Sequence, residues 1–317
     1  MRARLLGEDL VLWRSAGVIH AFPDLCVHRG ARLSLGHIHG SSLICPYHGW
    51  AYDGSGQCIH FPASPEVIPP PQARVKAHHV VERYGLIWVC LGEPEGDVVE
   101  FPEEADPTYR KILSGPLQFI NASGPRLIEN FLDIAHLPFV HAGTLGDPGR
   151  PEMTDYDVEM TERGILAENV LVYQPDPYGT GTGDEVRYTY RVFRPLAAYL
   201  TKHSNANRAN DETRFSLMLL VTPHDERHVT PWFYMAVDHA NTLSDAEITD
   251  FHASVLAQDI PVVESQRPEL LPLDLQTEFH LKSDRITIAY RRWLKRLGVI
   301  HGTSTQPQQA EGYDAGL

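Results

Sequence analysis

Two short stretches near the start of the chain each offer one thiolate and one imidazole. They read Cys26-Val27-His28 and Cys45-Pro46-Tyr47-His48, a C-x-H and a C-x-x-H with sixteen residues between them. Four ligating side chains in two mixed pairs oblige the surrounding chain to bring two loops to one centre. A two-iron cluster held by two cysteines on one iron and two histidines on the other needs this set. The alternative is a structural zinc site, but zinc fingers usually pair cysteine with cysteine and histidine with histidine. Cys58 and Cys90 fall outside both stretches and read as buried thiols rather than ligands.

The chain around these pairs reads as all-β. Short apolar or alternating runs (Leu10–Trp13, Gly17–Ala21, Leu43–Cys45, Gly85–Leu91) are separated by turn chemistry such as Asp53-Gly54 and Ser55-Gly56. Val67–Gln72 carries three consecutive prolines and must be a loop. An acidic, proline-rich stretch over Glu93–Pro107 marks a boundary, so residues 1–104 form a first domain.

From there the character changes. Residues 125–141 have helical spacing, with Leu127, Ile128, Phe131, Leu132 and Ala135 apolar. Long strands follow over 155–240. A capping box, Ser244-x-x-Glu247, opens a helix running toward Val263. A last amphipathic helix over Asp284–Leu297 groups Ile286, Ala289, Tyr290, Trp293 and Leu297 and ends at Gly298. Residues 105–302 thus form an antiparallel sheet flanked by helices, and 303–317 a polar, disordered tail. The fold class is α+β.

A second ligand set lies in this domain, in Glu129-Asn-Phe-Leu-Asp133-Ile-Ala-His136-Leu-Pro-Phe-Val-His141. Asp133 and His136 are three residues apart and would share a helix face. His136 and His141 are five apart, which an ideal helix splays by about 140°. Pro138 between them cannot donate to the carbonyl of Ile134, so an irregular helix can turn both rings to one point. Two histidines and a carboxylate make the facial site of non-haem Fe(II) oxygenases. The carboxylate candidate is Asp259, where Pro261 should loosen the helix, with Glu264 as the spare. Taken alone, two helical histidines are more often core or surface residues.

CVHRGARLSLG and CPYHGWAYDGSGQC resemble the two cluster loops of the Rieske family, including Arg29-Gly30 and Gly49-Trp50. The D-x-x-H-x-x-x-x-H element is similar to the mononuclear-iron motif of Rieske non-haem iron oxygenases, terminal oxygenase component. The resemblance implies a Rieske [2Fe-2S] cluster on Cys26, His28, Cys45 and His48. It implies Fe(II) on His136, His141 and Asp259, and Asp133 as the aspartate bridging cluster to iron. It also implies a START-like, helix-grip catalytic domain and a homotrimer with electron transfer across subunits. An NAD(P)H-dependent reductase or ferredoxin would supply the electrons. No Rossmann-type glycine fingerprint appears in this sequence, so the nicotinamide is expected on that partner. Family members carry further residues ahead of the strand at Arg4–Trp13, so the chain reads as N-terminally truncated.

The helix motif and the Ser265-Gln-Arg-Pro-Glu269 run look like those of vanillate O-demethylase-type monooxygenases. The leading expectation is O2-dependent demethylation or hydroxylation of a small aromatic substrate. Ring cis-dihydroxylation is the runner-up. A non-catalytic Rieske electron-transfer protein is the rival of another class, but it leaves Asp133, His136, His141 and Asp259 unexplained. Arg187, Arg191, Arg194 and His203 are weighed as partners for a substrate carboxylate against solvated strand positions. The net charge of −14 argues against nucleic acid. No apolar run approaches the roughly 20 residues of a membrane span, and a cytoplasmic location is expected.

Overall fold

The computed structural model describes residues 1–177, 181–203 and 213–305, and divides into two compact units, Met1–Val98 and Val99–Leu317. Phe101 and Glu103 fall on the second side of that division because they are used there. Phe101 packs edge-on against Tyr234 at 4.8 Å, and Glu103 accepts a hydrogen bond from Ser216 at 2.6 Å.

The first unit is all-β. Strands β1 (Arg2–Leu5), β2 (Glu8–Ser15) and β3 (Val18–Pro23) make an antiparallel meander. A second sheet follows from β4 (His37–His39), β5 (Ser42–Ile44), β6 (Ala51–Tyr52) and β7 (Cys58–His60). The hairpin of β8 (His79–Arg83) and β9 (Leu86–Cys90) is a separate two-stranded sheet. The core between these sheets includes Trp13, Phe22, Leu33, Tyr52 and the thiols of Cys26, Cys45 and Cys58.

The second unit begins with β10 (Tyr109–Ser114), α1 (Gly124–Leu132) and the single turn α2 (Leu137–Val140). The strands β11 (Asp157–Thr161), β12 (Gly164–Gln174), β13 (Asp184–Arg194), β14 (Ala197–His203), β15 (Thr213–Pro223) and β16 (Val229–Asp238) follow. They form an antiparallel meander, and β10 returns to close a seven-stranded sheet beside β16. Helix α3 (Asp245–Ser265) comes next, then β17 (Leu271–Pro272), α4 (Arg285–Leu297) and β18 (Thr303–Ser304). The helices bury Leu127, Ile128, Leu256, Ile260, Tyr290 and Trp293 with one face of the sheet. This is the expected α+β arrangement, an all-β unit followed by a helix-flanked antiparallel sheet.

Four local expectations are corrected. The helix over 125–141 is broken: α1 stops at Leu132, and Asp133 leaves it in an extended conformation, ψ 114°. Asp133 and His136 therefore cap two separate helices instead of sharing a face. Helix α3 does not loosen at Pro261 but runs through it to Ser265. Leu297 is exposed, and Leu294 takes its place in the core. The tail is ordered at its start, because Thr303 and Ser304 pair in parallel with Leu271 and Pro272. Residues 306–317 of the tail lie outside the described residues. No helix among the described residues is long and apolar enough to cross a membrane.

Candidate metal centres

Each cluster loop in the first unit turns back on itself through a pair of backbone hydrogen bonds, the cysteine N–H donating to the Ala31 or Trp50 carbonyl at 2.8 Å and a glycine N–H returning to the cysteine carbonyl. Gly30 N–H donates to the Cys26 carbonyl at 2.9 Å, and Gly49 N–H to the Cys45 carbonyl at 3.1 Å. Both glycines have φ near +70°, a conformation that side-chain-bearing residues rarely adopt. The thiols of Cys26 and Cys45 are buried, and Tyr52 Oη lies 3.1 Å from the Cys26 sulfur. Burial raises the Cys45 thiol above its ordinary range, with the Cys26 thiol adding to the effect. A bound metal reverses that preference, since it takes the thiolate.

The histidines complete the set. Their ring centres lie 4.5 Å apart, and His28 stacks on Trp50 at 4.3 Å with the planes 4° from parallel. Desolvation, then the charges of His48 and Arg29, lower the His28 pKa and keep its ring neutral, as a ligand must be. Its Nδ1 is buried without a hydrogen-bond partner among the described residues. Two buried thiols beside two imidazoles, one with an orphaned nitrogen, fit a Rieske cluster.

The second centre assembles from three elements. Asp133 ends α1 with its Oδ1 accepting the N–H of Ala135 at 2.9 Å, a local turn that replaces the next helical turn. His136 then starts α2 and His141 ends it, so one short turn carries both rings. Their Nε2 atoms lie 3.2 Å apart, and Asp259 Oδ1 from α3 lies 3.3 Å from one and 3.2 Å from the other. Burial would raise the Asp259 carboxyl, but hydrogen bonds from the two imidazoles outweigh it and hold it at about 2. Burial lowers the His141 pKa, and Asp259 and Gln258 more than offset it, leaving it raised.

With bonds of roughly 2.1 Å, these separations subtend angles of about 100° at one shared first-row ion, so all three atoms can bind on one side of it and leave the other side open. The donor set therefore fits one mononuclear iron. Glu264 is elsewhere, accepting from the backbone and side chain of Asn121 at 2.8 and 2.9 Å.

Two neighbours refine the site. Asn130 Nδ2 donates to Asp259 at 3.3 Å, a position that sequence reasoning left open between the iron and the helix surface. Gln258 was missed: its Oε1 lies 2.7 Å from His141 Nδ1, fixing which ring nitrogen faces the centre. Only its adjacency to Asp259 hinted at this. Glu129 is spent on a buried ion network instead. Arg187, Arg191 and His203 lie on the sheet face opposite the core residues Tyr188 and Tyr190. The His136 Nδ1 is buried with no hydrogen-bond partner among the described residues, so the Asp133 carboxylate meets the backbone of His136 and not its ring. Burial raises the Asp133 carboxyl, opposed by the nearby His136 and the Ala135 N–H.

Residues 1–78 match the Rieske [2Fe-2S] domain, and residues 120–299 match the vanillate O-demethylase oxygenase C-terminal domain. The chain belongs to the Rieske non-haem iron oxygenases. As a Rieske oxygenase it is an oxidoreductase, of a family that combines a [2Fe-2S] cluster with a mononuclear catalytic iron. It is 32% identical to methylxanthine N1-demethylase NdmA of Pseudomonas putida, over 96% of this chain and 85% of that protein. The structure of NdmA with caffeine superimposes with a TM-score of 0.80 at 31% identity, covering 94% of this chain and 84% of that one. The vanillate O-demethylase oxygenase subunit of a Pseudomonas strain is 26% identical over 92% of this chain and 95% of its own length. Oxidoreductase NdmD of Pseudomonas putida is 42% identical over 32% of this chain and 18% of its length.

Proposed function

We propose that this Rieske oxygenase is the terminal component of an oxidative demethylase acting on a small aromatic or heteroaromatic substrate. The observation that carries it is the convergence of His136, His141 and Asp259 within 3.3 Å of one another, in a chain similar to N- and O-demethylases. Cys26, His28, Cys45 and His48 would hold the cluster, and His136, His141 and Asp259 the iron. Bound there, the two groups supply one-electron transfer and dioxygen activation. The reaction consumes O2, NAD(P)H and one proton. It replaces an N–CH3 or O–CH3 bond by N–H or O–H, releasing formaldehyde and water.

A reductase drawing on NAD(P)H, or a ferredoxin, delivers the electrons. The remaining assignments are a homotrimer, a cytoplasmic location and Asp133 as the carboxylate linking a neighbouring subunit's cluster to His136. The position of Asp133 three residues before His136, with a largely buried carboxyl, supports the last of these. Asp133→Asn should keep both metal contents and the visible spectrum while slowing product formation severely; unchanged turnover would remove the role.

The decisive experiment combines the purified protein with a generic reductase, NADH, O2 and a panel of methylated aromatic compounds, and reads product masses and formaldehyde. Loss of CH2 with stoichiometric formaldehyde is the expected result. Gain of oxygen without formaldehyde would replace demethylation with ring hydroxylation or cis-dihydroxylation.

A further inference from the structure

The inner face of the second unit's sheet carries polar groups that its core does not explain. Val170, Val172, Tyr188, Tyr190, Leu217 and Leu219 line that face under the helices. Gln174 continues it two residues beyond Val172, and Lys202 stands in register between Tyr188 and Phe215. Gln174 is 1% exposed. Its Nε2 donates to the Tyr188 hydroxyl at 2.8 Å, but its Oε1 is buried with no partner among the described residues. A buried acceptor left unpaired in this way is destabilising, and a ligand donor would relieve it. Lys202 Nζ donates to the Pro177 carbonyl at 3.0 Å.

Helix α3 brings a third group to the same place. The His252 ring stacks on Phe215 at 4.9 Å and 12°, and meets Phe233 edge-on. Its Nδ1 faces the Ile248 carbonyl at 2.8 Å, so Nδ1 carries the proton and Nε2 presents a lone pair. Desolvation, reinforced by the charge of Lys202, lowers the His252 pKa and keeps the ring neutral. His252 and Asp259 are seven residues apart on α3. That is two turns along one face, about 10.5 Å, a gap that one substituted ring system spans. Leu200, Lys202, Phe215 and His252 all keep partial exposure beside this core.

We propose that Gln174, Lys202 and His252 read the substrate edge opposite the methyl group, and that this edge is a heteroaromatic lactam with ring carbonyl and N–H groups side by side. The inference rests on the demethylase reading and names its substrate class. Lys202 is a donor, while Gln174 Oε1 and His252 Nε2 are acceptors. A carboxylate offers acceptors alone and would face two lone pairs. A lactam edge offers a carbonyl to Lys202 and an N–H to the acceptors, and relieves the orphaned amide oxygen.

The test is calorimetric titration of the metal-loaded protein with theobromine, caffeine and vanillate. Theobromine has one ring N–H between two carbonyls, caffeine has N–CH3 there, and vanillate is an acid. Theobromine should bind the native protein at least about tenfold more tightly than vanillate. His252→Leu should weaken theobromine about tenfold and caffeine by less than about twofold. His252→Gln, which keeps an acceptor, should restore theobromine binding. Lys202→Met should weaken both xanthines about tenfold. Tighter binding of vanillate, equal losses of both xanthines in His252→Leu, or no xanthine binding would overturn the proposal. A parallel formaldehyde assay separates the two readings. Formaldehyde from vanillate with binding indifferent to Lys202→Met keeps the demethylase and removes the lactam. The predicted binding pattern without formaldehyde from any compound does the reverse.

Discussion

Gln258 shows how a single residue tunes the metal centre without entering it. By accepting from His141 Nδ1–H at 2.7 Å, it fixes the tautomer and aims the Nε2 lone pair at the point that His136 and Asp259 also face. Such partners are worth about 10- to 100-fold in metal affinity. Gln258→Leu should therefore lower iron affinity by that factor while leaving the visible spectrum of the cluster intact. Iron analysis after graded chelation, beside the absorbance spectrum, measures both. Beyond its adjacency to Asp259, nothing in the linear sequence separates this glutamine from a surface residue, because its partner lies 117 positions away.

At the scale of elements, α1, α4 and the segment before α4 are joined by buried charge. Glu129 lies 2.5 Å from Arg291 Nε and 2.8 Å from its Nη2, and also pairs with Arg126 at 3.3 Å. Glu278 pairs with both arginines, at 2.7 Å from Arg126. Removing one partner of a buried ion pair strands the other charge, typically at about 3–5 kcal/mol. Glu129→Ala should lose stability in that range by denaturant titration, and Glu129→Gln less. A loss below about 1 kcal/mol would mean the guanidinium groups reach water in the variant. The network also anchors the helix whose end, Asp133, leads into the His136–His141 turn. Helical periodicity made α1 and α4 legible in advance. The break between α1 and α2 was not, because the Asp133 side chain competes for the backbone locally.

Across the whole catalytic unit, the half-buried Lys202 trades stability for the recognition proposed for it. Burial lowers Lys202 from its ordinary 10.5 to about 8. Below pH 8 it is charged in folded and unfolded chains alike, and folding bears the desolvation penalty. As pH rises from 8 toward 10.5, the folded chain sheds the proton first and the penalty fades. Lys202→Met should therefore be more stable than the native protein at pH 7, by up to about 3 kcal/mol. The difference should narrow over that window in paired thermal melts. A constant difference across the window would show that Lys202 keeps its ordinary pKa.

What the sequence determined by itself was chemistry carried by short spacing. Cys26-x-His28 and Cys45-x-x-His48 close tight loops whose geometry is local, and His136 and His141 share one turn. The alternation of the later strands and the capping box at Ser244 likewise act over a few residues. The tertiary structure decided everything that depends on distant partners. It brought Asp259 rather than Glu264 to the histidines, set Gln258 behind His141, and sent Glu129 into an ion network instead of toward the metal. It also gathered Gln174, Lys202 and His252 from two strands and a helix onto one face. Sheet register and helix placement fix those meetings, and they follow from packing the whole unit, which no local pattern encodes.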